Sequence, residues 1–111
     1  MEISWDEFQK VEIRVGTIVD AQDFLEAIKP AYKLKIDLGE KIGIKKSSAQ
    51  ITDLYSKKEL IGQQVIVVVN CASKKIGHFT SECLVTGFYT KNKAVVLATS
   101  DKKIPNGSLL V

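Results

Sequence analysis

From Val11 onward apolar and polar residues take turns, with Val11, Ile13 and Val15 set against Glu12 and Arg14, and the run carries on through Gly16 to Val19 and Ala21. A period of two is the mark of a strand with one buried face. The glycine inside the run predicts a bulge or sharp bend, which would let one long strand curve and pair on both sides of a small barrel. Pro30 breaks the pattern, and after it Leu34, Ile36 and Leu38 alternate with Lys33, Lys35 and Asp37, a second half-buried strand with a basic outer face. Past the turn "GEKIG", Ile42 and Ile44 open a third strand that stays extended but becomes polar in "KKSSAQIT". The nearly continuous β-branched run "QVIVVVNC" predicts a central strand buried on both faces. "SECLVTGFY" and "AVVLAT" add two strands around the turn "TKNK", and "PNG" makes a last turn before "SLLV".

Two short helices interrupt the strands. Ser4 as N-cap, Glu7 three residues on and Ile3 with Phe8 as a staple predict a helix over about residues 5–10. So short a helix cannot cover both Trp5 and Phe8, which must pack on the body or on a partner. "TDLYSKKELIG" predicts a second helical turn, with Thr52 or Ser56 as cap, Glu59 completing a capping box and Gly62 as terminator. The order of elements fits an all-β protein: a five-stranded OB-fold Greek-key barrel with a short N-terminal helix and a short helix between strands 3 and 4. A sandwich needs about seven strands. A parallel α/β fold needs long crossover helices that the chain lacks.

With 111 residues and 12.3 kDa the chain fits one domain, residues 1–111. Charge changes the picture more than size does. Residues 1–28 hold seven acids and two bases, while residues 29–111 hold six acids and fourteen bases, so an acidic end precedes a basic body suited to an anionic partner. No run approaches the roughly 20 apolar residues of a membrane span, and the start is acidic where a signal peptide is basic, so a cytoplasmic protein without membrane insertion is expected. Cys71 and Cys83 are expected to be reduced core thiols, although the spacing of their strands leaves a bridge open.

The candidate chemistry is binding chemistry. His78 is the only histidine, and no phosphate-binding glycine loop or nucleophile elbow appears, so no catalytic residue, metal site or cofactor is expected. Lys33, Lys35, Lys45, Lys46, Lys74 and Lys75 could share a basic face, with Tyr32, Phe79 and Phe88 as aromatic platforms. OB barrels bind nucleic acid with that combination.

"VEIRVGTIVDAQDF", "IGIKKSSAQIT", "LYSKKELIGQQVIVVVN" and "SKKIGHFTSECLV", in that order, resemble the tRNA-binding OB domain found in cytokine-like polypeptides and at the C-terminus of methionyl-tRNA synthetases. The chain is most similar to the free-standing short members of that family, described as export-related chaperones. The resemblance implies a non-enzymatic homodimer that binds unfolded or precursor polypeptides, with tRNA and a secretion motor as further candidate partners. It places ligand contacts on Lys45, Lys46, Ser47, Ser48 and Gln50 and on Asn70, Lys74, Lys75, Phe79, Ser81 and Glu82, with Ile76 and Phe79 taking apolar side chains. It places Ile3, Trp5, Phe8, Leu109 and Leu110 at the dimer interface. Glu82 stands where tRNA-binding members have glycine and would repel phosphate, which favours polypeptide over tRNA as ligand.

Overall fold

The computed structural model describes every residue, Met1–Val111. The chain runs α1 (Trp5–Gln9), β1 (Ile13–Asp23), β2 (Tyr32–Asp37), β3 (Ile44–Ala49), α2 (Lys57–Leu60), β4 (Gln64–Val68), β5 (Lys74–Ile76), β6 (Phe79–Ser81), β7 (Leu84–Val85), β8 (Gly87–Tyr89) and β9 (Val95–Leu97). One five-stranded antiparallel sheet, ordered β3-β2-β1-β4-β7, curls into a nearly closed barrel of the OB type. Its core is built from the inward residues of each strand, with Ile18, Leu34, Ile36, Val65 and Val67 fully buried, and Leu60 of α2 sealed against them.

β1 is the hinge of the barrel. It pairs with β4 along Ile13–Thr17 and with β2 along Thr17–Asp23. The residues after the last turn continue its second edge, with the Val15 amide donating to the Ser108 carbonyl at 3.0 Å and the Leu110 amide to the Ile13 carbonyl at 2.8 Å. The bulge lies at Val19, between Ile18 and Asp20, and not at Gly16. Gly16 serves a close approach instead: a Cβ there would sit 2.5 Å from Ile36 Cγ2 and 2.8 Å from Leu38 Cδ2.

Both capping boxes form, at Ser4 with Glu7 and at Ser56 with Glu59. β4 keeps Val65 and Val67 fully buried, while Gln64 and Ile66 on its other face are half-buried, so the expected burial on both faces is incomplete. The segment 81–89, expected as one strand, holds the end of one strand and two others, and the lysine stretch before it, expected as a loop, forms a hairpin. Residues 79–81 pair back onto 74–76 as a hairpin, 84–85 pair with β4, and 87–89 pair with β9, and each change of partner ends a strand.

Candidate ligand-binding face

The bulge at Val19 determines what the outer face of the barrel displays. Before it, Ile18 pairs with Ile36 and points into the core; two residues on, Asp20 would point the same way in a regular strand. The extra residue shifts the phase, so Asp20 pairs with Lys35 and Gln22 with Lys33, while Ala21 opposite Leu34 takes the inward position. Continuing across to β3, Lys35 pairs with Lys46 and Lys33 with Ser48. Two rows result on one face, Asp20–Lys35–Lys46 and Gln22–Lys33–Ser48.

Lys35 directly opposite Lys46 is an arrangement that a folded sheet alone disfavours, since like charges facing across strands destabilise. The two ion pairs of the molecule, Arg14–Glu12 and Lys57–Asp23, involve none of these lysines. Two aromatic rings stand beside the rows. Phe24, just past β1, meets Phe79 edge to face at 5.3 Å; Lys33 Nζ lies 5.5 Å from the Phe24 ring centre and Lys46 Nζ 5.5 Å from that of Phe79. Asp20, Gln22, Lys33, Lys35, Lys46 and Phe79 surround an open hollow of about 190 Å³.

A second groove, of about 290 Å³, adjoins it along β3 and β6. Ser48, Gln50, Lys74, Ile76, Ser81 and Leu84 line it. Its neighbour in sequence, Lys75, pairs with Thr80 and takes the opposite face of the β5–β6 hairpin from Lys74 and Ile76. His78 is exposed in the turn of that hairpin.

Several residues assigned to ligand binding from sequence have other duties. Ser47 is fully buried, and its hydroxyl donates to the Cys83 carbonyl at 3.0 Å. The Ser81 hydroxyl accepts from the Ser48 amide at 3.0 Å. Glu82 accepts from the Lys46 amide at 3.0 Å through Oε1, while its own amide donates to the Lys46 carbonyl at 2.8 Å. These bonds join β3 to the 81–83 segment and close the barrel. The Glu82 carboxylate thus has a structural role in the seam, through one of its oxygens, whichever ligand the face takes. Asn70 lies elsewhere: Oδ1 accepts from the Glu12 amide at 2.9 Å and Nδ2 donates to the Lys10 carbonyl at 2.6 Å, tying the chain after α1 to the end of β4. Lys45, opposite Ile36, faces the other way from Lys46. Tyr32 is buried, donating its hydroxyl to the Tyr55 carbonyl at 2.8 Å, and Phe88, 68% exposed, lines a different hollow with Leu84 and Tyr89. Neither joins the basic face.

Sequence reading did not single out Phe24, Asp20 or Gln22 for the face. The adjacent apolar pair Ile18–Val19 is the available signal, because two apolar residues in succession mark a change of phase in an alternating strand.

Cys83 is buried as expected, but Cys71 is exposed and not a core thiol, because β4 ends at Val68 and leaves it in the loop beyond; the two are not bridged. Burial, with the Glu82 charge adding to it, pushes the Cys83 thiol up to about 11.

On another part of the surface an apolar patch is left uncovered. α1 buries none of its residues. Trp5 is 83% exposed, and with Phe8, Leu109 and Leu110 it borders a hollow of about 470 Å³. Ile3, 59% exposed, precedes the helix.

Residues 13–109 match the family described as "Putative tRNA binding domain". Among solved structures, the fold is similar to the chaperone CsaA from Picrophilus torridus, 49% identical with a TM-score of 0.93 over 99% of this chain and 100% of that one. It is similar also to the chaperone CsaA from Bacillus anthracis, 40% identical with a TM-score of 0.93 over the whole of both chains. Among curated proteins, the methionine–tRNA ligase of Leptospira biflexa is 38% identical over 97% of this chain, which spans only 15% of that enzyme.

Proposed function

The chain belongs to the tRNA-binding-domain family, and from that footing we propose that it is a non-catalytic, CsaA-like protein that takes RNA on the outer face of β1, β2 and β3. The observation that carries this reading is Lys35 set opposite Lys46, with Lys33 in the next row and no carboxylate in ion-pair contact with any of them, Asp20 across the strand from Lys35 included. A polyanion relieves the repulsion of such a row. The three ammonium groups track a phosphate backbone, and Phe79 beside them offers a ring to an unstacked base. Full-length tRNA supplies both features in its loops. The proposed place of action is the cytoplasm, where tRNA is found; no helix of the chain is long and apolar enough to cross a membrane.

The test is salt. Neutralising three phosphates of a single-stranded segment gives a slope of log K against log salt of about −2, at roughly −0.7 per phosphate. Fluorescence anisotropy with tRNA should give that slope for the wild type and about −0.7 for Lys35→Ala/Lys46→Ala. An unchanged slope in the double variant would remove RNA from this face.

A second reading concerns the adjoining groove. Its mixed lining, with Ile76 and Leu84 among Ser48, Gln50 and Ser81, suits an extended peptide: apolar walls for side chains and polar groups for backbone. The full-length likeness to two chaperones supports it. On this reading the ligands are unfolded or precursor polypeptides on the way to export, with a secretion motor as the receiving partner. Ile76→Asp should then weaken binding of an unfolded model protein and leave the salt slope for tRNA unchanged.

Both readings are strengthened by a homodimer. Trp5, Phe8, Leu109 and Leu110 border one hollow and Ile3 is exposed just before the helix, and a second copy of the same surface is the proposed cover. Two linked sites on one long ligand raise weak affinities by roughly 10²- to 10⁴-fold. Sedimentation that finds only a 12.3 kDa species at micromolar concentration would remove the dimer.

A further inference from the structure

We infer that the hollow between Asp20 and Phe79 is a subsite for one unpaired guanine base, a deepening that rests on the RNA reading above. The starting point is a carboxylate where a simple phosphate-binding surface would have none. Asp20 lies among Lys33, Lys35 and Lys46, and the strand spends an extra residue at Val19 to present it there and not toward the core. Bulges of this kind re-aim side chains next to binding sites.

Asp20 faces the hollow with no cation bonded to it. The side chain that touches it is Gln22, whose Nε2 donates to Oδ2 at 3.0 Å. That leaves Oδ1 and one lone pair of Oδ2 for a ligand. An acceptor pair of this shape matches two parallel N–H donors. Among the four RNA bases, guanine alone offers two adjacent donors on its Watson–Crick edge, N1–H and the N2 amino group, and next to them the O6 acceptor.

Lys35, paired with Asp20 across the strands, is the donor available to O6. The order along the hollow, lysine and then carboxylate, is the order acceptor, donor, donor along guanine. Adenine would turn its N1 lone pair toward the carboxylate. Uracil would turn its carbonyls there on either side of a single N–H, and cytosine has one donor group followed by acceptors. Phe79 walls the hollow and packs against the base, while Lys33 and Lys46 remain for the flanking phosphates.

The experiment measures binding of the full chain to fluorescent pentanucleotides UUGUU, UUIUU, UUAUU and UUUUU at one low salt concentration, where I is inosine. The expected result is that UUGUU binds about tenfold or more tighter than UUAUU and UUUUU, within the range of a bidentate base contact. Inosine, which keeps N1–H and lacks the amino group, should fall between. Asp20→Asn should lose the preference while binding UUUUU at least as tightly as the wild type, since a negative charge has been removed. Equal affinity of the wild type for all four, with a salt slope intact, overturns the guanine subsite and leaves the RNA reading standing. A preference that survives in Asp20→Asn overturns the role given to this carboxylate. No binding to any of the four nor to tRNA overturns both.

Discussion

Ser47 and Ser48 are neighbours in a polar string, yet the structure gives them opposite duties, and substituting each by alanine separates the two. Ser47 is fully buried, and its hydroxyl donates to the Cys83 carbonyl at 3.0 Å. Removing the hydroxyl strands a buried acceptor at the barrel seam, a loss of about 1–3 kcal/mol. The Ser81 hydroxyl, 3.4 Å from the same carbonyl, takes up part of the deficit, which sets the expectation at the lower end, about 1–2 kcal/mol. For a domain of this size each kcal/mol is worth roughly 4 °C, so Ser47→Ala should melt roughly 4–8 °C below the wild type. Its affinity for tRNA and for unfolded protein, measured well below the melting point, should stay unchanged. Ser48 pairs with Lys33, and its side chain lines the groove. Ser48→Ala should keep its melting temperature to within about 2 °C, as surface substitutions shift stability by less than about 0.5 kcal/mol. It should lower affinity for the ligand of the groove.

The assay is thermal unfolding by circular dichroism, paired with anisotropy titrations of both ligands at 20 °C or thereabouts. A Ser47→Ala protein with native melting temperature and weakened binding would overturn this assignment and put the hydroxyl on the ligand side of the strand.

Gly16→Ala forces a Cβ to within 2.5 Å of Ile36 and 2.8 Å of Leu38, and overpacking of this kind costs about 1–3 kcal/mol, so its denaturant midpoint should fall with the m-value unchanged. Cys83, raised to about 11 from an ordinary 9.0, stays protonated in the folded chain while the unfolded chain ionises. Stability is therefore full below pH 9.0 and declines as pH rises toward 11, by up to about 2–3 kcal/mol, and Cys83→Ala should show a smaller decline in that window. In a thiol-labelling experiment at pH 8 the exposed Cys71 should react first, with Cys83 following only when the chain opens.

How much of this could be read from the sequence depends on the reach of the interaction concerned. The capping boxes at Ser4–Glu7 and Ser56–Glu59 close within three residues and were legible, as were the outward lysines of β2, because Leu34 and Ile36 on either side set the phase. The bulge was misplaced to Gly16, since a glycine in a strand has two uses, bend and close approach, and only the position of Ile36 against it decides between them. Ser47 was misread for a further reason. β7 has only two residues and pairs with β4, so the edge of β3 has no full strand to meet; Ser47, Ser81 and Glu82 supply that side of the seam with side-chain hydrogen bonds. Polar residues in a strand are ambiguous in sequence because a ligand and an unmatched backbone make the same demand for donors and acceptors. It follows that the polar string of β3 reports barrel closure as much as ligand choice. On the proposed reading, discrimination among ligands rests on side chains that the seam does not use, Asp20, Gln22, Lys33 and Lys35, and swapping these four into a relative should carry ligand preference with them while leaving its stability in place.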